Sequence, residues 1–280
     1  MSFKASAIRL LMKIVRPGAA AACLALFFKG LLRLVPIRKR TAARNIETAF
    51  PEKTPRERAA IVWKTYDHLV WIGLEFAALQ RDPRLALDWV DFENESALDD
   101  SQGGILLAGH VGNWELCCSR LAQGGHDVTA IVRESGDDGE RGVIAEMRAR
   151  AGWKFLSHKS PMTRALAVLR QNKFLAIMPD QHGGPSGIAA PFFGLETSTS
   201  QGPAVFAYLT KKPIIPVYTR RIRPFKHTMR VGEPIKWEDA GERGRTIYEI
   251  TAAVNREMER MVRESPDQWL AQHKRFKEHY

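Results

Sequence analysis

Cysteine is scarce in this sequence, with three residues in 280: Cys23, Cys117 and Cys118. Two of them are adjacent, and neighbouring side chains rarely suit a disulfide or a metal site. A cystine framework is therefore not expected, and a reducing compartment fits. Long apolar runs are also lacking. The longest near the N-terminus, Pro17 to Phe28, lies between Arg16 and Lys29 and falls short of the ~20 residues that cross a bilayer. No G-x-S-x-G elbow, Walker loop or G-x-G-x-x-G fingerprint is present, which removes the usual support for a serine hydrolase, a P-loop enzyme or a dinucleotide enzyme. The histidines form no metal-ligand pattern, so neither a metal nor a tightly held cofactor is implied; His126, His273 and His279 read as surface groups.

Acidic residues are outnumbered, 31 against 42 Lys and Arg, which leaves a formal charge of +11. That bias points to an anionic partner: phospholipid headgroups, a phosphorylated substrate, an acidic carrier or nucleic acid. Trp269, Lys274, Arg275, Phe276 and Lys277 mix aromatic and basic side chains, but no recognised binding module accompanies them, so a nucleic-acid partner is not expected. A membrane-facing edge explains the same mixture.

With 45% hydrophobic residues the chain can bury a sizeable core. One domain, residues 38–280, preceded by an attachment segment, residues 1–37, accounts for the length. In that segment Arg9, Lys13 and Arg16 stand at i, i+4, i+7, and Lys29 and Arg33 at i, i+4, so each half reads as a helix with a basic stripe beside an apolar face. Pro17-Gly18 separates the halves. Such helices lie in the membrane interface with the basic stripe against anionic lipid. Core-packing helices or a cleaved signal peptide are the plainer alternatives.

Thr54-Pro55-Arg56-Glu57 has the form of a capping box with proline at the first helical position, which predicts a helix from there to about Gln80, stopped by Asp82-Pro83. Short apolar runs at Trp89 to Phe92, Gly104 to Ala108, Val128 to Val132, Phe174 to Met178 and Ile214 to Tyr218 read as strands separated by crossover helices. This rhythm predicts an α/β fold, a mainly parallel or mixed sheet covered by helices, with ligands near the carboxyl ends of strands.

The segment Gly103-Gly104-Ile-Leu-Leu-Ala-Gly109-His110-Val111-Gly112-Asn113-Trp114-Glu115 carries the most chemistry. A buried strand ends at Gly109, and Asn113 caps a helix continuing through Glu115 to Leu121. On one helix His110 and Glu115 would point roughly 140° apart at 3.6 residues per turn. They meet only if the loop, freed by Gly109 and Gly112, folds the histidine back. Glu115 in the first helical turn gains from the helix dipole, and could hold one imidazole nitrogen so that the other accepts a proton. That suits general-base removal of a proton from a hydroxyl that attacks an acyl carbonyl. The plainer alternative is a capping asparagine, a solvent-facing glutamate and a loop histidine.

Gly109-His110-Val111-Gly112-Asn113-Trp114-Glu115 resembles the G-H-x-G-N-W-E hallmark of the late acyltransferases of lipid A biosynthesis, the lauroyl and myristoyl transferases. The resemblance continues in Thr41-Ala-Ala-Arg44-Asn45-Ile-Glu-Thr-Ala-Phe50-Pro51, in Pro191-Phe192-Phe193-Gly194, in Asn255-Arg-Glu-Met-Glu259 and in Pro266-Asp-Gln268-Trp-Leu-Ala-Gln-His273-Lys-Arg275-Phe276-Lys277. It thus spans about Arg38 to Lys277. It implies a glycerolipid-acyltransferase fold, His110 as base and Glu115 as its orienting partner. It also implies a place on the cytoplasmic face of the inner membrane, an acyl-carrier-protein thioester as donor, and a phosphorylated glucosamine disaccharide lipid as acceptor.

By the same resemblance Asn113, Arg133, Arg148, Arg150, Asp180 and Gln181 are expected at the substrate site. A guanidinium fork would hold lipid phosphate or phosphopantetheine. Of the arginines, Arg133 is the firmest, since one of Arg148 and Arg150 is expected to face water. Val111 stands where the family usually has phenylalanine. His182 departs from the family pattern, and Asp180 could simply begin the Gly183-Gly184-Pro185 turn. Two rivals remain open: an acyltransferase for another acceptor, such as a lysophospholipid or a glycosylated phosphoinositide, and a non-catalytic membrane-binding protein.

Overall fold

Strands that are apolar at successive positions need cover on both faces, and a computed structural model, describing residues 3–133 and 138–280, supplies it. The chain begins with four helices: α1 (Phe3–Ile14), α2 (Ala19–Leu34), α3 (Lys39–Ala49) and α4 (Pro55–Leu79). The last is fixed at its start as the sequence predicts. Thr54 accepts from the Glu57 backbone N–H while the Glu57 carboxylate accepts from the Thr54 N–H at 2.8 Å, an arrangement that contributes about 1 kcal/mol. A short α5 (Leu85–Trp89) leads into β1 (Val90–Glu93).

The body then alternates: β2 (Gly104–Leu107), α6 (Trp114–Gln123), β3 (Val128–Val132), α7 (Asp138–Arg150), β4 (Lys154–Ser157), α8 (Met162–Arg170) and β5 (Phe174–Ile177). A hairpin, β6 (Ile188–Phe192) and β7 (Leu195–Thr199), precedes α9 (Gly202–Thr210). The pair β8 (Ile214–Arg223) and β9 (Lys226–Val231) and the long α10 (Arg243–Glu264) complete the elements. β6 and β7 pair only with each other, whereas the other seven strands form one sheet in the order β1-β9-β8-β2-β5-β3-β4. All its neighbours are parallel except β8 and β9. The predicted mixed, mainly parallel sheet under helices is what forms. The strand β4 escaped sequence reading because its residues are exposed or half-buried at the sheet edge, with none of the continuous apolar character of β2 or β5.

Alternation along each strand feeds two cores. Leu106, Phe174, Ala176, Val128, Ala130 and Val217 face one, which α1, α2, α6 and α7 cover. Ile105, Leu107, Leu175, Ile177 and Ile214 face the other, beneath α3, α8, α9 and α10. Strand order advances from β2 through β3 to β4, then returns to β5 between β2 and β3. The return changes which face the crossover helices occupy, and in such sheets a crevice opens at the carboxyl ends of the strands flanking the reversal.

The N-terminal helices are part of this packing. Ala5, Val15, Ala21 and Ala25 are buried, and Arg9 and Lys4 pair with Glu146 and Glu140 on α7. Their outer surface is apolar, with Leu26, Phe27, Leu34, Val35 and Ile37 all more than 60% exposed. Among the described residues no single helix is long and apolar enough to cross a membrane. Only α2 and α3 together reach that length and composition, and they are bent by 92°.

Candidate active site

Register brings the central residues together. β2 and β5 are parallel neighbours with Leu107 opposite Ile177, and three residues beyond each lie His110 and Asp180. The Asp180 carboxylate meets the histidine twice: Oδ1 is 2.8 Å from Nδ1, and Oδ2 accepts from the His110 backbone N–H at 3.1 Å. The aspartate side chain is 1% exposed and the histidine 17%. Burial by itself would raise the Asp180 pKa, but the charge and hydrogen bonds of His110, with Arg275 beyond, outweigh it and hold the carboxyl below its usual value. An ionised carboxylate only accepts, so Nδ1 carries a proton and Nε2 is the ring nitrogen left to give or take one. The Gln181 amide lies 3.3 Å from that Nε2, and the Trp114 ring packs edge-on against the imidazole at a centroid distance of 4.9 Å.

This geometry corrects the expected partnership of His110 with Glu115. The loop does fold the histidine back, but onto the neighbouring strand's aspartate. Glu115 instead accepts a fork from Arg148, Nη2 to Oε1 at 2.6 Å and Nε to Oε2 at 3.1 Å, together with the Trp114 indole N–H at 3.2 Å. Arg148 lies over the Trp153 ring. Glu115 starts α6 and Arg148 ends α7, so this pair ties two helices at the wall of the same crevice that His110 opens into.

Other expected site residues separate cleanly. Arg133, directly after β3, is exposed at the crevice, and Gln181 and Arg148 also line it. Arg150 points to solvent away from it, because two residues further along a helix is roughly 200° around its axis. Asn113 is fully buried and contacts no part of the crevice. Its Oδ1 accepts from the Leu116 N–H at 3.1 Å as the α6 cap, and its amide donates to Glu75. Asp180 likewise is buried against the histidine and does not line the crevice. Asn113 and Asp180 thus hold the loop and the histidine and are not among the residues that line the crevice. The histidines read as surface groups also need correction: the His126 side chain is 8% exposed and bonded to Asp100, and His273 is half-buried, its pKa lowered to about 4 chiefly by burial.

The crevice has a volume of about 630 Å³. Its lining includes the polar side chains of His110, Gln181, Arg133 and Arg148 and the apolar ones of Ile131, Leu156, Ala165, Ile177 and Phe206. Burial raises both cysteine thiols, Cys118 to about 12 with the Glu115 charge adding to the effect, so neither supplies a thiolate nucleophile. Among the described residues no cluster of three or more His, Cys, Asp or Glu is arranged to hold a metal.

Two further contacts fix the loop, and sequence reading missed both. The segment after α10 crosses it: Gly112 N–H donates to the Gln268 carbonyl and Leu270 N–H to the His110 carbonyl, each at 2.9 Å, with Val111 bridged to Trp269. The Thr219 hydroxyl on β8 bonds both the N–H and the C=O of Asn113, at 2.9 and 3.0 Å. Gly112 has φ +66°, and a Cβ there would lie 1.6 Å from the Thr219 carbonyl oxygen, so only glycine fits.

Among known proteins, the model of the bacterial lipid A biosynthesis acyltransferases matches residues 8–278. A lipid A biosynthesis lauroyltransferase from Escherichia coli (strain K12) is 25% identical over 255 residues, covering 88% of this chain and 81% of that protein. A phosphatidylinositol mannoside acyltransferase from Mycolicibacterium smegmatis is 27% identical over 137 residues. That match covers 47% of this chain, which spans 45% of the mycobacterial protein. The solved structure of the 1-acyl-sn-glycerophosphate acyltransferase PlsC from Thermotoga maritima covers 91% of this chain and 97% of its own, at 14% identity and a TM-score of 0.37.

Proposed function

This chain belongs to the bacterial lipid A biosynthesis acyltransferase family, and from that membership we propose that it moves a fatty acyl chain from an acyl-carrier-protein thioester to a hydroxyl of a phosphorylated lipid A precursor. The observation that carries the mechanism is the Asp180–His110 pair at the mouth of a crevice half lined with apolar side chains. His110 Nε2 takes the proton from the acceptor hydroxyl as its oxygen attacks the thioester carbonyl. Asp180 stabilises the imidazolium that results. Collapse of the tetrahedral intermediate forms the ester, expels the carrier thiolate and returns the proton to it from His110. No covalent enzyme intermediate is needed.

Arg133 and Arg148 are the cations at the crevice for a lipid phosphate or the donor's phosphopantetheine. Arg133 is the freer of the two, since Arg148 is already forked onto Glu115. The exposed apolar side chains of α2 and its following turn, with the net positive charge, suit docking on an anionic bilayer. In this reading that bilayer is the cytoplasmic leaflet of the inner membrane, where an acyl carrier protein has access. The match to the mannoside acyltransferase keeps a glycosylated phosphoinositide as the second acceptor class.

The test is mass spectrometry of lipid products after incubating the protein in mixed micelles with a Kdo-bearing lipid A precursor and several acyl-carrier thioesters, beside His110→Ala. A gain of one acyl group that the variant does not produce is the expected outcome. If neither protein acylates the precursor where a known family member does, the lipid A acceptor is wrong, and glycosylated phosphoinositides and lysophospholipids come next.

A further inference from the structure

A carboxylate stands in the middle of the apolar half of α4. Glu75 is 0% exposed between Leu74 and Phe76, where a charge without a partner is strongly disfavoured. Arg221 of β8 answers it with a two-pronged contact, Nε to Oε1 at 2.9 Å and Nη2 to Oε2 at 2.8 Å, and the Phe225 N–H adds a third bond at 3.0 Å. His227 Nε2 lies 3.2 Å from Oε2. Burial would raise the Glu75 pKa, but Arg221 and His227 outweigh it and keep the carboxylate ionised. Buried ion pairs of this kind can often be replaced by apolar residues without loss of stability, so stability alone does not account for this one.

The pair ends on the catalytic loop at two points. Arg221 Nη1 donates to His68 Nδ1. A guanidinium has no lone pair to offer, so Nδ1 accepts and the ring proton is on Nε2, which donates to the Gly112 carbonyl at 3.0 Å. Burial, with the Arg221 charge next, lowers the His68 pKa well below its ordinary value and keeps the ring neutral. From the other side, Glu75 Oε2 accepts from the Asn113 amide at 2.8 Å, and Asn113 caps the helix that carries Glu115. One buried pair therefore sets both the 112 carbonyl and the 113 side chain, two and three residues past His110.

We propose that His68, held by the Glu75–Arg221 pair, is a positioning residue for the His110 loop: it fixes the Gly112 carbonyl so that the His110 ring keeps its register with Asp180. His68 does not line the crevice and acts through the backbone alone. The proposal rests on His110 as the general base. A misplacement of about 1 Å in a reacting group can cost 10²-fold in rate, so loss of this tether acts on kcat and leaves substrate affinity alone.

Three substitutions test it in the acyl-transfer assay: His68→Leu, His68→Asn and His68→Gln, with His110→Ala alongside. The glutamine amide nitrogen falls near the place of Nε2 and can still reach the Gly112 carbonyl; the asparagine nitrogen falls near Nδ1 and cannot. The expected result is a kcat lowered by about 10- to 100-fold in His68→Leu and His68→Asn, KM for thioester and lipid unchanged within threefold, and rescue in His68→Gln to within about threefold of wild type. If His68→Leu aggregates, the Asn and Gln pair decides on its own, since both are polar and close in size. Equal kcat in Asn and Gln, or losses that follow the folded fraction, would mean a merely structural role and overturn the proposal. Activity in His110→Ala overturns the base assignment and the proposal with it; an inactive His110→Ala beside a wild-type His68→Leu overturns the positioning role alone.

Discussion

Replacing Asp180 by asparagine changes one atom's chemistry in a sealed place, which makes its effect calculable. The carboxylate serves two donors at once, the His110 backbone N–H and the Nδ1–H, and with the side chain 1% exposed no water can substitute. Asparagine has one acceptor and one donor group in that position. Its oxygen must face the backbone N–H, which has no other conformation available, so its NH₂ faces the ring. Nδ1 then has to accept, the ring proton moves to Nε2, and the base becomes a donor pointed at the acceptor hydroxyl. The positive imidazolium of the transition state also loses its counter-charge.

Together these effects put the loss in kcat at about 10²- to 10⁴-fold, or about 3–5 kcal/mol at ~1.36 kcal/mol per tenfold. KM is expected to stay within threefold because neither atom contacts substrate. The variant should still fold at neutral pH, since the side chains match in volume, but with lower stability, because it lacks the ionised carboxylate. The Asp180 pKa is depressed by folding, so its ionised form adds stability above the ordinary carboxylate range and loses that contribution as pH falls through the depressed value. The stability gap between wild type and Asp180→Asn, followed by urea unfolding, should therefore close on acidification. Glu115→Gln is the control: its carboxylate serves Arg148, so its kcat should fall by less. The reasoning is refuted if Asp180→Asn retains kcat within threefold while Glu115→Gln loses 100-fold, because His110 would then work with Glu115 in the reacting complex.

Three other outcomes follow from the same geometry. Gly112→Ala forces a Cβ into the Thr219 carbonyl and should reduce kcat by about 10²-fold or more through displacement of His110; wild-type turnover would show that the loop is not rigid there. Arg148→Ala strands the Glu115 carboxylate, 9% exposed, and should lower the urea-unfolding free energy by about 3–5 kcal/mol, whereas a loss below ~1 kcal/mol would mean that water or Trp114 suffices. For the bilayer contact, Leu26→Glu with Phe27→Glu should weaken sedimentation with anionic vesicles by ~100-fold or more, given about 1.5–3 kcal/mol per buried apolar side chain. Activity in detergent micelles should persist, and unaltered sedimentation would move the membrane contact elsewhere.

What could be read in advance was whatever rests on local sequence. The Thr54 capping box, the Asn113 cap and the buried strands β2, β3 and β5 are each decided within a few residues, by hydrogen bonding to neighbouring backbone or by unbroken apolar character. The His110–Asp180 contact is decided across seventy residues, by two strands pairing in parallel. Its one sequence trace is that His110 and Asp180 each stand just past an apolar run and a short break, Ala108-Gly109 in one case and Met178-Pro179 in the other. A strand order is needed before that coincidence means anything. The resemblance pairs Glu115 with the histidine five positions before it; the partner Glu115 has in the structure, Arg148, arrives from another helix. Glu75 gave the opposite problem: a lone carboxylate in an apolar helix is visible in the sequence, but its counter-charge on β8 is not.

The crossing of the His110 loop by residues 268–270 also bears on the order in which the fold is completed. During synthesis the first helices and central strands emerge early and can pack as soon as they are complete. The carbonyl of Gln268 and the N–H of Leu270 are synthesised long after the loop they hold, and until then Gly112 and His110 lack two of the bonds that hold them in place. Asn45, from one of the earliest helices, waits in the same way for the carbonyls of Ala271 and His273. A chain made only as far as β9 would thus carry its N-terminal apolar surface while the His110 loop and Asn45 still lacked these late partners.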